Sequence, residues 1–211
     1  MYSMYQHIIN ILQQEYPEVA GTELQYNDPW QLLVSTILSA QTTDKMVNTV
    51  TKNLFVKYPS LEYYTDAPLE ELQAELSRIN FYRNKAKYIK RSAQMIHEEF
   101  KGMVPDSMDE LVKLPGVSRK TANVVLSNIY GKHEGVVVDT HVMRLSQRLG
   151  LTNEKTREKI EQDLMKKFPR EQWFNLSNLL ITHGRLVCKA RKPAHDKCVA
   201  KEYCPSYEHT A

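Results

Sequence analysis

The sequence predicts an all-α protein, and three observations carry that prediction. Glycine is scarce, with seven in 211 residues. Apolar residues recur at helical spacing, in runs of helix length. Aspartate-then-proline entry signals open two of these runs, at Asp28-Pro29 and at Asp66-Ala67-Pro68.

Taken in order, the first helix carries Ile8, Ile9, Leu12 and Tyr16 and closes at Pro17. Residues 18 to 28 read as a polar loop. Trp30, Leu33, Val34, Ile37 and Leu38 form a buried face, which the polar run 39–44 breaks. A third helix continues through Met46, Val50, Leu54 and Val56 to about Tyr58-Pro59. A short helix with Leu69, Leu72 and Leu76 is expected to start from a cap at Asp66. Residues 79–84 connect it to a helix running from Lys85 to about Phe100, with Ala86, Ile89, Ala93 and Ile96 inward. A short helix over 108–112 precedes a tight turn at Leu114-Pro115-Gly116-Val117-Ser118. The next helix starts with Arg119, Lys120 and Thr121 and turns Ala122, Val125, Leu126 and Ile129 to one face. Further helices are expected over about 141–149, 154–168 and 171–187. A cysteine-bearing segment and a short polar tail end the chain.

Composition narrows the function classes. Apolar residues make up 42%, enough for a core, and the formal net charge is +3. That balance permits a nucleic-acid partner if the basic residues cluster. No stretch is long and apolar enough to span a membrane. The N-terminus lacks the basic-then-apolar order of a signal peptide, so a cytoplasmic location is expected. All three cysteines, Cys188, Cys198 and Cys204, fall in the last quarter of the chain. Such clustering in a cytoplasmic chain points to metal rather than to disulfides.

The turn at 114–118 is chemically suggestive. Pro115 fixes one turn angle and Gly116 permits a backbone shape other residues resist. A helix start offers N–H groups and a positive dipole end, which together suit a phosphate. Lys113, Arg119 and Lys132 add positive charge nearby. Lys120 in the first turn and Asp139 at the end of the apolar run 136–138 make a candidate catalytic couple. The helix dipole and burial would favour a neutral Lys120 amine, and a nearby carboxylate would favour the ammonium. From the residues alone, an ordinary helix–turn–helix corner remains an equal alternative, and a first-turn lysine is most often just solvated.

The run 114–125 (Leu-Pro-Gly-Val-Ser-Arg-Lys-Thr-Ala-Asn-Val-Val) followed by Val-Asp-Thr-His at 138–141 closely resembles the helix-hairpin-helix signature of the endonuclease III family. These are DNA glycosylases and abasic-site lyases. The resemblance extends to 38–44 (Leu-Ser-Ala-Gln-Thr-Thr-Asp), to the loop at 79–86, and to His183-Gly184-Arg185 with the cysteines after it. It implies a helix-hairpin-helix DNA glycosylase fold of two helical lobes with the active site in the cleft between them. One lobe would span residues 22–132, and the other 1–21 with 133–211. It also implies that Lys120 is the nucleophile that forms a Schiff base and Asp139 its partner. Gln41 would fill the hole left by a flipped nucleotide, and Phe81 would wedge beside it. Gly116, Ser118, Arg119 and Lys120 would meet DNA at the hairpin. The implied partner is double-stranded DNA carrying damaged bases, oxidised pyrimidines above all, or abasic sites, bound by a monomer. Two rivals stand beside this reading: a related glycosylase for mismatched or alkylated bases, and a non-catalytic helix-hairpin-helix DNA-binding protein. The chain departs from the family at Asn80 and Phe81, usually glycine and leucine, and at Ser118, usually glycine.

The family holds a [4Fe–4S] cluster with Cys-x6-Cys-x2-Cys-x5-Cys. Here the spacing is kept by Cys188, His195, Cys198 and Cys204, with histidine at the second position. Imidazole does bind cluster iron in Rieske centres, and three thiolates with one imidazole also suit zinc. A [4Fe–4S] cluster, zinc, and no stable metal are therefore all open at this point. Arg185, Lys189, Arg191, Lys192, Lys197 and Lys201 surround the ligands and suit DNA phosphates.

Overall fold

The structure, a computed structural model, describes residues 2–17 and 21–207. Among them there are eleven α-helices and no strand. Part of the expected loop (18–20) and the end of the polar tail (208–211) lie outside the described residues.

The chain separates into two compact units. One is Thr22–Lys132, and the other joins Met1–Gly21 to His133–Ala211. The first contains α2 (Pro29–Ser39), α3 (Asp44–Lys57), α4 (Leu61–Asp66), α5 (Leu69–Glu75), α6 (Tyr82–Glu99), α7 (Met108–Leu111) and α8 (Arg119–Ile129). The second contains α1 (Tyr2–Glu15), α9 (Thr140–Arg148), α10 (Arg157–Lys167) and α11 (Trp173–Leu186).

The first unit is built around α2. Every residue from Trp30 to Leu38 is buried, the pattern of a helix enclosed on all sides. It packs against α3, α6 and α8. Asp28 starts it, its carboxylate accepting from Gln31 N at 2.8 Å, with Pro29 in the first turn. The expected entry signal therefore works at this site. Leu33, Leu54, Leu72, Ile89, Leu111 and Leu126 meet in the core. The second unit has its own core, with Ile8 and Leu12 of α1 joining Val142, Leu145, Leu164, Leu179 and Leu180.

Three expectations need correction. Asp66 does not cap a helix start. It is the last residue of α4, a helix the sequence reading missed, whose Leu61 and Tyr64 are buried. The following helix has Pro68 at its cap position and no side-chain cap bond. Helix α6 begins at Tyr82 rather than Lys85, because Phe81 already supplies its entry turn. Helices α10 and α11 begin later than expected. The Thr156 hydroxyl caps the start of α10 by accepting from Lys159 N at 3.4 Å. A 3-10 turn at Arg170–Gln172 takes up the chain before α11.

Candidate functional site

The hairpin between α7 and α8 closes with Val117 N donating to Leu114 O at 3.1 Å. Ser92 of α6 donates to Pro115 O at 3.1 Å and ties the turn to the unit's core. Gly116 has φ +78, and a Cβ there would stand 2.8 Å from the Tyr88 ring. Both facts require glycine at this position. Ser118 is the cap of α8, its hydroxyl accepting from Thr121 N at 3.2 Å. Arg119 and Lys120 follow in the first turn, both exposed. Lys132 does not join this group. Its ammonium bonds Asp106 through the carboxylate at 2.5 Å and the carbonyl at 2.7 Å.

Two further turns of the same unit carry Gln41 and Phe81. Gln41 follows α2 with φ 55, and Phe81 precedes α6 with φ 58. Both are non-glycine residues in the left-handed region, which costs about 1–3 kcal/mol each unless the surroundings impose it. Both side chains are exposed, Phe81 at 64%. Two neighbouring side chains, Asn80 and Lys85, bond to the Gln41 turn. Asn80 Nδ2 donates to Gln41 O at 2.5 Å. Lys85 is only 4% exposed. Its ammonium donates to Leu38 O at 2.8 Å and Ala40 O at 2.6 Å, with Thr42 Oγ1 at 3.4 Å. Burial pulls its pKa down to about 8.

Asp139 lies in the other unit. It follows the buried Val136 and Val138 and caps α9. One carboxylate oxygen accepts from His141 N at 2.7 Å and Val142 N at 2.8 Å. The first-turn amides thus fix the orientation of this carboxylate, and the positive end of the helix favours its charge. At the far end of α9, Arg148 donates to Lys189 O at 2.9 Å and Ala190 O at 3.1 Å, and to Cys188 Sγ at 3.3 Å. Arg144, one turn earlier, donates to Gly184 O at 3.1 Å and Cys188 O at 3.0 Å.

Cys188, His195, Cys198 and Cys204 all line one cavity of about 110 Å³, with His183 and Arg148. The three cysteines are free thiols, and burial raises the pKa of Cys198 and Cys204. Among the described residues, no three His, Cys, Asp or Glu side chains converge closely enough to hold a single ion as they stand. The donors frame a space rather than a point. His183 is 1% exposed, and burial pulls its pKa down to about 4, so its imidazole is neutral. Its Nε2 lies 3.4 Å from Cys198 Sγ and its Nδ1 2.9 Å from the Tyr16 hydroxyl. Arg185, Lys189, Arg191, Lys192 and Lys197 are exposed around this loop.

A model of the HhH-GPD superfamily of base excision DNA repair proteins matches residues 34–170. The chain belongs to this superfamily. It is 50% identical over 199 residues to endonuclease III of Synechocystis sp., covering 94% of this chain and 90% of that protein. It is 48% identical over 186 residues to endonuclease III of Bacillus subtilis, covering 88% and 84%. A solved structure of a trapped endonuclease III–DNA covalent intermediate, an estranged-adenine complex, superposes with a TM-score of 0.93 at 38% identity. The superposition covers 99% of this chain and 98% of that one.

Within this HhH-GPD chain the sequence reading singled out neither Lys85 nor Arg148, and it missed the local roles of Ser118 and His183. Lys85, with Ile89, Ala93 and Ile96, lies on the inward stripe of α6, and a lysine on an apolar stripe was the available signal. Ser118 was read as a departure from glycine, and its capping role went unseen. His183 and Arg148 carried no spacing signal of their own. A larger groove of about 830 Å³ lies among Trp30, Glu62, Phe100 and Met103, but none of the candidate site residues lines it.

Proposed function

We propose that this chain is a bifunctional DNA glycosylase and abasic-site lyase that removes oxidised pyrimidines from duplex DNA. One observation carries the reading. An exposed lysine stands in the first turn of α8, two residues after its cap and directly behind a turn with the backbone form of a phosphate grip.

The damaged nucleotide must first leave the stack, since its sugar carbon is out of reach inside the duplex. Gln41 fills the vacated space and Phe81 wedges beside it, an amide suited to hydrogen-bonding the orphaned base and an aromatic suited to stacking. Backbone amides at Gly116 and Ser118, with the Arg119 side chain, hold phosphate. The Lys120 amine then attacks C1′. A C1′–Nζ bond forms, and the C1′–N bond to the base breaks, its electron pair leaving on the base, which is protonated. Opening of the sugar ring yields the iminium. Loss of the C2′ proton then drives β-elimination, breaking the C3′–O bond and cutting the strand on the 3′ side. Asp139, held at the start of α9, stabilises positive charge on the sugar as the base departs.

Cys188, His195, Cys198 and Cys204 are proposed to hold a [4Fe–4S] cluster. Four donors lining one cavity, without converging on a point, suit a polynuclear group better than a single zinc ion, whose ligands must meet at about 2.3 Å from one centre. The cluster would supply rigidity, holding the basic side chains of its loop toward DNA phosphates. The protein is proposed to act as a cytoplasmic monomer. No helix among the described residues is long and apolar enough to cross a membrane.

Borohydride trapping on abasic-site duplex DNA tests the lyase. A covalent adduct is expected with the wild type and none with Lys120→Ala. An undiminished adduct with that variant, or none with wild type, overturns the assignment.

A further inference from the structure

We infer that Lys85 and Asn80 are positioning residues that lock the Gln41 turn to the Phe81 turn, so that both side chains meet the duplex as one preset wedge. The inference rests on the proposed role of Gln41 and Phe81 and asks what holds them in register.

From α6, the Lys85 ammonium reaches the C-terminal end of α2, where the last carbonyls have no partner within the helix. Its ammonium takes Leu38 O, Ala40 O and Thr42 Oγ1, closing the helix at its negative end. Those three oxygens bracket Gln41 on both sides. A buried ammonium is costly, and an apolar side chain of similar length would fill the same volume without that cost. What the ammonium adds is a fixed path for residues 38 to 42.

The second tie runs the other way. Asn80 reaches across to Gln41 O, the carbonyl of the residue whose side chain enters the duplex. Phe81 is the next residue, and its own carbonyl accepts from Lys85 N at 3.1 Å. The ring of bonds is therefore closed: from the end of α2 to Lys85, back along the first turn of α6 to Phe81, and through Asn80 to Gln41. Phe81 and Gln41 share the same uncommon left-handed backbone form, which persists where neighbours over-determine it. A wedge set before binding loses little further conformational freedom when it enters DNA.

The test compares Asn80→Ala, Lys85→Met and the double variant with Gln41→Ala, in the full chain. Two substrates are used: a duplex with a damaged base, and an abasic site in a single strand, where no stack need open. Stacking beside the lesion is read by 2-aminopurine opposite a stable abasic analogue. Asn80→Ala and Lys85→Met are each expected to slow single-turnover base removal from the duplex by about tenfold or more. They should also lower the 2-aminopurine signal, while borohydride trapping on the single strand stays near wild type. The double variant should lose less than the product of the two, because the ties act on one element. A slowed Gln41→Ala beside wild-type rates in Asn80→Ala and Lys85→Met overturns the positioning role and leaves the wedge. A wild-type Gln41→Ala overturns the wedge itself. Equal losses on duplex and single strand also overturn the inference, as they mark a general structural defect. If Lys85→Met does not fold, the exposed Asn80 decides the matter by the same comparison.

Discussion

The Ser118 hydroxyl accepts the backbone N–H of Thr121 at 3.2 Å and so caps the helix that begins with Arg119 and Lys120. Its own backbone is ordinary, at φ -82 and ψ 165, so what the side chain adds is the cap bond. Ser118→Ala should destabilise the protein by about 1 kcal/mol, and Ser118→Gly by only a few tenths. Urea unfolding of both variants checks the order. Equal losses would remove the capping role.

Gly116 is more exacting. The added methyl of Gly116→Ala would approach Tyr88 Cδ2 at 2.8 Å and Tyr88 Cβ at 3.0 Å. Cβ is next to the backbone and cannot swing aside. The left-handed φ adds about 1–3 kcal/mol of strain on its own. Gly116→Ala should lose stability and affinity for a duplex with an abasic analogue, as measured by fluorescence anisotropy. Adding Tyr88→Ala should restore part of both, since it removes the ring contact but leaves the Cβ contact and the dihedral strain. Full restoration would show that the ring contact alone mattered.

Lys85 gives stability a pH signature. Burial pulls its folded pKa to about 8, against 10.5 ordinarily. Between those values the unfolded chain retains a proton that the folded chain has released. Stability contributed at this site therefore rises as pH climbs through that window. Denaturant unfolding from about pH 7 to about pH 10 should show a wild-type-minus-Lys85→Met difference with that upward slope. A flat difference would mean that the carbonyls around Lys85 keep it fully charged.

The proposed cluster is open to direct analysis. Anaerobically purified protein should contain iron and acid-labile sulfide. Cys198→Ala should lose both, and His195→Cys should keep both. Zinc without sulfide would replace the cluster with a mononuclear site, and neither metal would leave the loop to its protein contacts alone.

Much of this was legible in the sequence, and the failures have physical causes. The α2 entry at Asp28 was readable because cap, proline and apolar stripe agree. Asp66-Ala67-Pro68 offered the same cap signal, yet Leu61 and Tyr64 draw the preceding residues into a helix that ends on Asp66. Tertiary burial outweighed a local signal. Phe81 hid the start of α6 because an aromatic in the left-handed region is not a helix-entry residue by propensity. Lys120, Asp139 and the ligand spacing became candidates through the family resemblance, since a first-turn lysine by itself is most often just solvated. The partners that hold the site did not, because Lys85, Asn80 and His183 act on groups 15 to 47 residues away along the chain.

The helix α9 joins two chemistries in one short piece of chain. Its first residue follows the Asp139 carboxylate, and its last, Arg148, grips the loop that carries Cys188. Nine residues of helix span only about 13 Å. The turn that presents the Asp139 carboxylate and the loop that carries Cys188 are therefore two ends of one short element, whose Val142 and Leu145 are fixed in the core of its unit.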